Sequence, residues 1–200
     1  NVNVPLFYYR QHEGSLTRNE GRILATRAAI KRKFVRERKG GRVPRVLAII
    51  PVPKRSPGFP DSSSALVGGR SLLSHTLREA LAAETLDRIA VVSNDPGVLS
   101  QARRFSRRGV LALHRPDPLT SPDSPITRTV EYTLDQLRAR RRYQPEAVML
   151  LFISCPLRRA MHIDMAVDAM AIFGVDSVVS VTEELAFSVD DQRTVARDNT

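Results

Sequence analysis

Apolar positions along the chain repeat with two different periods. Val46 to Ile50 is an unbroken apolar run, the signature of a strand covered on both faces. Ile89–Val92 and Ala147–Ile153 repeat that signature, and Val110–Leu113 and Ser177–Val181 give shorter versions. Between these runs the apolar residues recur at helical spacing. One set is Leu72/Leu73, Leu77 and Ala80/Leu81; the next is Val98, Leu99, Ala102 and Phe105. Ile126, Val130, Leu134 and Leu137 make a third, and Ile163, Val167 and Met170 a fourth. Asp95-Pro96 predicts a helix start, with Asp as N-cap and Pro at the first helical position. Strands alternating with helices predict an α/β domain, a Rossmann-like and mostly parallel sheet with helices on both faces. Ligands of such sheets sit beyond the carboxyl ends of the strands. The candidate site loops are therefore 51–69, 93–95, 114–125 and 154–159.

The beginning of the chain follows another pattern. Residues from about Arg18 to Lys39 read as a basic helix, with Ile23, Ile30 and Phe34 on one face. Gly40-Gly41 breaks it and Pro44 follows. The expected organisation is a separate segment over 1–39, a linker over 40–44 and the α/β domain over 45–200. Charge divides at the same place. Of the net +10, residues 1–45 supply +9, from twelve Lys/Arg and three Glu, and the remainder is nearly neutral. The basic character thus belongs to the N-terminal segment, which reads better as a charged helical linker than as a lipid- or nucleic-acid-binding helix. No apolar run is long enough to span a bilayer. No secretory leader is visible, and the single Cys155 excludes an internal disulfide. These features fit a cytoplasmic location with no nucleic-acid partner. The chain does not begin with Met and is read as a piece of a longer protein.

Several segments resemble the CMP-sugar synthetases, the cytidylyltransferases that activate acylneuraminate and deoxy-octulosonate sugars. Arg45-Val-Leu-Ala-Ile-Ile-Pro51 followed by Leu66-Val-Gly-Gly-Arg-Ser-Leu72 is similar to the family's opening strand, loop and helix. Asp87–Asp95 resembles its second strand and Ser-Thr-Asp turn. Arg115-Pro116 with Leu119 resembles its Arg-Pro-x-x-Leu segment, and Leu150–Arg158 its Leu-Leu-Gln-Pro-Thr-Ser-Pro-Leu-Arg segment. Asp176–Thr182 closes the match. The resemblance covers about 45–182 and implies a fold of the nucleotide-diphospho-sugar transferase type. The implied reaction is attack of a sugar hydroxyl on the α-phosphate of CTP, with Mg²⁺ as cofactor, an acidic sugar as acceptor and a homodimer as the intact assembly.

The phosphate loop departs from the family pattern. Pro53 and Pro57 stand where the family has Arg and Lys, and Ser62 and Ser63 where it has Lys and Asn; Gly58 matches. Four prolines lie within the ten positions 51–60, and proline offers no N–H to a phosphate. In this reading Lys54 and Arg55 are the catalytic candidates. Ser56, Gly58, Arg70 and Arg115 are the nucleotide-binding candidates, Asp95 and Arg158 bind the acidic sugar, and the metal ligands are unknown. The family's Gln is replaced by Phe152, which removes a base-directed hydrogen bond. The family's later Asp metal ligand falls beyond Thr200, so the chain alone is expected to be inactive. The alternative is a degenerate, non-catalytic domain that binds nucleotide or acts as a scaffold.

Phe7–Thr17 resembles the C-terminal end of family 2 glycosyltransferases, whose Tyr-Arg-x-His-x-x-Ser pattern closes over a sugar diphosphate. That resemblance implies a glycosyltransferase fused to the cytidylyltransferase-like domain for surface polysaccharide synthesis, with His12 as a diphosphate contact. Other candidates read as structural. His75 and His114 look structural, His162 lies on a helix face, Asp123 is a turn residue, and Cys155 is expected to be small and buried. The scattered His and Cys have no zinc spacing.

Overall fold

The computed structural model describes residues 44–53, 65–121 and 123–181. Strand β1 is Val46–Val52. It is followed by a short hairpin of β2, Leu66–Val67, and β3, Arg70–Ser71. Helix α1 (Leu72–Ala82) leads to β4 (Arg88–Ser93), and α2 (Pro96–Arg103) to β5 (Val110–His114). Helix α3 (Ile126–Arg141) leads to β6 (Ala147–Leu150), and α4 (Ala160–Phe173) comes last.

β1, β4, β5 and β6 form one parallel sheet in the order β5-β4-β1-β6. Ile49 faces Ala90 on one side and Leu150 on the other, so β1 is central. Its side chains alternate between two cores. Ala48, Ile50 and Val52 pack with α1, α2 and α4, while Leu47 and Ile49 pack with α3. Both faces of β1 are thus apolar, which is why its sequence is continuous rather than alternating. Progress from β1 to β4 to β5 runs across the sheet with α1 and α2 on one face. The return from β5 to β6 reverses direction and puts α3 on the other face. Changing both together preserves the hand of the crossover. The expected mostly parallel sheet with helices on both faces is the observed one.

Local signals account for the helix starts. Asp95 caps α2: its Oδ1 accepts from the Gly97 N–H at 2.7 Å and the Val98 N–H at 3.4 Å. Asp95→Ala is expected to cost about 1 kcal/mol of stability, whereas Asp95→Asn, which keeps the acceptor, should stay within a few tenths. Urea denaturation of both variants measures this. Ser71 caps α1 through the Ser74 N–H at 3.1 Å. Gly68 and Gly69, both at positive φ (55° and 75°), form the hairpin turn. Two successive positive-φ residues suit the twist of a two-residue hairpin, and glycine adopts them without strain.

α4 is tied to α1 by two carboxylates that the sequence pattern does not single out. Glu79 accepts from the Ala160 N–H at 2.9 Å, filling the first turn of α4. Asp164, 7% exposed, accepts from the Glu84 N–H (3.0 Å), the Thr85 N–H (3.0 Å) and the Thr85 hydroxyl (2.8 Å). Partial desolvation pushes the Glu79 carboxyl up. The Ala160 hydrogen bond and the Arg78 and Arg159 charges outweigh it, and the carboxyl is held below the ordinary glutamate value. A carboxyl held low in the folded state stabilises above its unfolded pKa, and that contribution is lost as pH falls through the folded pKa. Glu79→Gln should therefore flatten the acid side of the stability profile and leave the neutral side with no added slope. Thermal melts from neutral pH into the acid range check it.

Two expectations about strands are corrected. Ser177–Val181 forms no strand, and its Val178, Val179 and Val181 are exposed (38%, 61% and 64%). β-branched residues favour an extended chain, but a strand exists only when a neighbour supplies hydrogen bonds, and this segment has none among the described residues. The strand expected over Ala147–Ile153 stops at Leu150. Leu151 still donates to the Ile49 carbonyl at 3.0 Å, and the chain then turns away.

Candidate functional site

The reversal of strand order falls between β1 and β6. Ligands of such sheets bind beyond the carboxyl ends of the strands at this switch point, and the chains leaving β1 and β6 lead to α1 and α4, which pack together on one face. Pro51, Val52 and Pro53 end one wall, and Leu151 to Arg159 build the other. Lys54, Arg55, Ser56 and Gly58 lie in 54–64, outside the described residues, but Pro53 brings that segment to this edge.

The β6 loop is held by its own hydrogen bonds. The Phe152 carbonyl accepts from the Cys155 N–H at 3.4 Å and from Arg158 Nη2 at 3.2 Å. The Arg158 N–H donates to the Cys155 carbonyl at 3.3 Å. Arg158 thus folds back on its loop, with Nη1 buried and without a hydrogen-bond partner. Burial pulls its guanidinium below the ordinary arginine value, and the neighbouring Cys155 opposes that. Cys155 itself is exposed, which corrects the expectation that it is a small buried residue. The strand ends before it, so its side chain has no sheet face to bury against. Phe152 is also not buried: at 44% exposed, with Leu157 at 82%, it gives the crevice an apolar rim. Its place at the end of an apolar strand run was the available signal.

On the other side of β1, Ser93 organises the ends of β4 and β5. Its Oγ, fully buried, accepts from the Asp95 N–H at 3.0 Å, and its carbonyl accepts from the Arg115 N–H at 2.9 Å. Ser93 opens the candidate loop 93–95, but its bonds to backbone groups leave no mark in the sequence pattern. Arg115 is 6% exposed, and its Nη2 donates to the Leu119 carbonyl. Its Nε is buried without a partner, and burial lowers the guanidinium from its ordinary value. Asp95 is committed to capping α2. Arg70 is exposed on β3. Ser93 thus brings Asp95 and Arg115 together. Arg158 stands apart beyond β6, three strand spacings from β5, roughly 14 Å.

Three other expectations concern histidines. His75 Nε2 lies 2.8 Å from the Val67 carbonyl and ties α1 to the hairpin. The His162 Nδ1 accepts from the Arg159 N–H at 3.3 Å in the first turn of α4. The His114 carbonyl accepts from the Tyr132 hydroxyl at 2.9 Å. Among the described residues no group of three or more His, Cys, Asp or Glu side chains is arranged to hold a metal ion. The residues expected at Phe7–Thr17, His12 included, lie outside the described part. No helix of the described residues is long and apolar enough to cross a membrane.

An open groove of about 480 Å³ lies at the opposite end of the sheet, lined by Glu146, Ala147, Met170, Gly174, Val175 and Asp176. It faces the amino end of β6, where parallel sheets do not place their ligands. The carboxyl-end crevice is therefore the candidate site.

No family model matches the sequence. The structure is similar to that of CMP:2-keto-3-deoxy-manno-octonic acid synthetase complexed with CTP. That match has a TM-score of 0.50 and 18% identity, over 63% of this chain and 47% of that one. It is similar to 4-diphosphocytidyl-2C-methyl-D-erythritol synthase at a TM-score of 0.50 and 12% identity, over 72% of this chain and 67% of that one. The chain shares the fold of these nucleotidyltransferases. It spans about half the length of the first, 47%. In this fold β1 and β6 flank the point where the strand order reverses.

Proposed function

We propose that the chain is the nucleotide-binding part of a cytidylyltransferase that transfers CMP from CTP to an acidic sugar, sialic-acid-like or deoxy-octulosonate-like, for surface glycan synthesis. The observation that carries this reading is the order β5-β4-β1-β6, which opens a crevice at the strand ends where the Lys54–Gly58 segment departs. The fold similarity to a synthetase complexed with CTP supports it.

In this reading the sugar hydroxyl oxygen bonds to the α-phosphorus of CTP and the bond to the pyrophosphate oxygen breaks. Negative charge grows on the triphosphate and must be met by fixed donors and cations. Lys54 and Arg55 supply the charge, Ser56, Gly58 and Arg70 meet the phosphates, and Arg115 and Arg158 brace the loops on either side. Each of the two bracing arginines keeps one buried nitrogen without a hydrogen-bond partner. Asp95 supports the substrate side while capping α2. Mg²⁺ belongs to the proposed chemistry, but the described carboxylates form no set that fits it. A fusion to a glycosyltransferase, acting as a homodimer, completes the proposal.

A second reading, a binding domain without turnover, is favoured by the commitment of Asp95, Arg115 and Arg158 to scaffold contacts. The deciding test is pyrophosphate release by the protein that carries this chain. It uses CTP, Mg²⁺ and a panel of eight- and nine-carbon acidic sugars, with CTP binding measured by calorimetry in parallel. Release that depends on one sugar supports the transferase. Binding of CTP without release supports the second reading, and absence of both overturns the two together.

A further inference from the structure

The end of the sheet opposite the crevice gathers arginines from segments distant in sequence. Because all four strands of the sheet are parallel, everything that precedes a strand lies at this end. Arg103, Arg104, Arg107 and Arg108 precede β5, and all are exposed. Arg138, Arg140 and Arg142 precede β6 and are also exposed. Neither run contains an acidic residue. Arg45 opens β1, and its carbonyl accepts from the Glu146 N–H at 2.8 Å, which joins it to the second run. Arg88 opens β4 and lies 5.0 Å over the Tyr143 ring, bridging the two halves. Helix dipoles account for basic residues in the last turn of a helix. They do not account for Arg107 and Arg108, which lie beyond α2. Exposed carboxylates at this end (Glu84, Asp87, Asp135, Glu146 and Asp176) lie outside the two runs, and Asp135 pairs with Arg138 at 3.6 Å.

Two further observations narrow the partner. The sequence up to Arg45, with a net charge of +9, joins the domain here because β1 begins here. Phe173, 72% exposed, and Val175, 42% exposed, end α4 at the same face. Arginines set beside exposed apolar side chains suit a headgroup layer. Guanidinium groups pair with phosphates while apolar groups enter the acyl boundary. Nucleic acid would favour a charged groove with several stacking rings, whereas Phe173 is the one exposed aromatic side chain at this end among the described residues.

We propose that this arginine-rich end is a docking surface for an anionic phospholipid bilayer, holding the carboxyl-end crevice away from the membrane. The contact is interfacial, with nothing spanning the bilayer. The test is sedimentation of the full 200-residue chain with vesicles of phosphatidylcholine alone or mixed with phosphatidylserine. The wild-type chain should partition onto mixed vesicles, and raised salt should release it. Arg103→Gln, Arg104→Gln, Arg107→Gln and Arg108→Gln combined should lower partitioning at least about a hundredfold. The same four changed to Lys should retain it. Phe173→Ala should weaken it severalfold, and Arg78→Gln with Arg128→Gln, away from this end, should leave it unchanged. The proposal is overturned if the wild type partitions equally onto neutral vesicles. It is equally overturned if the Gln variant, folded by circular dichroism, binds as well as wild type. A third contrary result is displacement of the wild type from mixed vesicles by nucleic acid at equal phosphate, which would identify the face as a nucleic-acid site.

Discussion

Asp164→Ala is expected to lower stability by about 3 kcal/mol, the largest effect of any single polar substitution in the described domain. The carboxylate is buried and receives three hydrogen bonds, from two backbone N–H groups and one hydroxyl on the turn after α1. Removing the acceptor leaves those donors facing a small void. Thr85 is itself 8% exposed, so water does not readily replace the lost partner. For a domain of this size a loss of about 3 kcal/mol lowers the melting temperature by roughly 10 °C. Urea unfolding should show a lower midpoint with an unchanged slope, because the surface exposed on unfolding is the same. Asp164→Asn keeps one carbonyl acceptor and should recover most of the loss. A loss below about 1 kcal/mol in the Ala variant would mean that the α1–α4 tie is not made as described.

A second large effect is expected at the phosphate loop. In the protein that carries this chain, Lys54→Ala with Arg55→Ala should reduce kcat/KM for pyrophosphate release at least about a hundredfold. Removing one donor aimed at developing charge typically costs that much or more. Thermal stability should change little, since both are charged residues that follow the end of β1 in sequence. Pro53→Ala is the informative companion. It restores an N–H at the position where the chain leaves β1, and no loss of activity is expected from it. If the double variant turns over at the wild-type rate, the triphosphate does not sit against this segment, and the crevice must be read as holding another ligand.

These two sites show different degrees of legibility. Lys54 and Arg55 attract attention in the sequence because two cations follow a buried strand at its carboxyl end, where ligands of parallel sheets bind. Asp164 carries no such signal. It sits one residue after Ile163 in an apolar helix and reads as an ordinary polar position. Its partners are the backbone groups of residues 84 and 85, about eighty positions away, and only the packing of α4 on α1 brings them together. Ser93 and Glu79 are similar: each serves backbone groups, and backbone groups leave no mark on composition.

Charge illustrates the same division. The sequence places most of the net charge before Arg45, and the remainder looks neutral. Parallel topology then sorts the remaining arginines by the end of the sheet they precede, and two short arginine runs distant in sequence come to the same end. Phe152 and Cys155 show the converse. Their residue types suggest burial, but the strand ends at Leu150, before either of them.

The sequence by itself determined the element types, the order of strands and helices, the Asp95-Pro96 helix start and the loops that bound the crevice. Those features rest on local periodicity and on capping, which act within a few residues. Only the tertiary structure decided which loops share the crevice, which carboxylates hold helices together and whether Ser177–Val181 becomes a strand. Each of these depends on a partner distant in sequence, and the free energy of a hydrogen bond or a buried face resides in the pair rather than in either member.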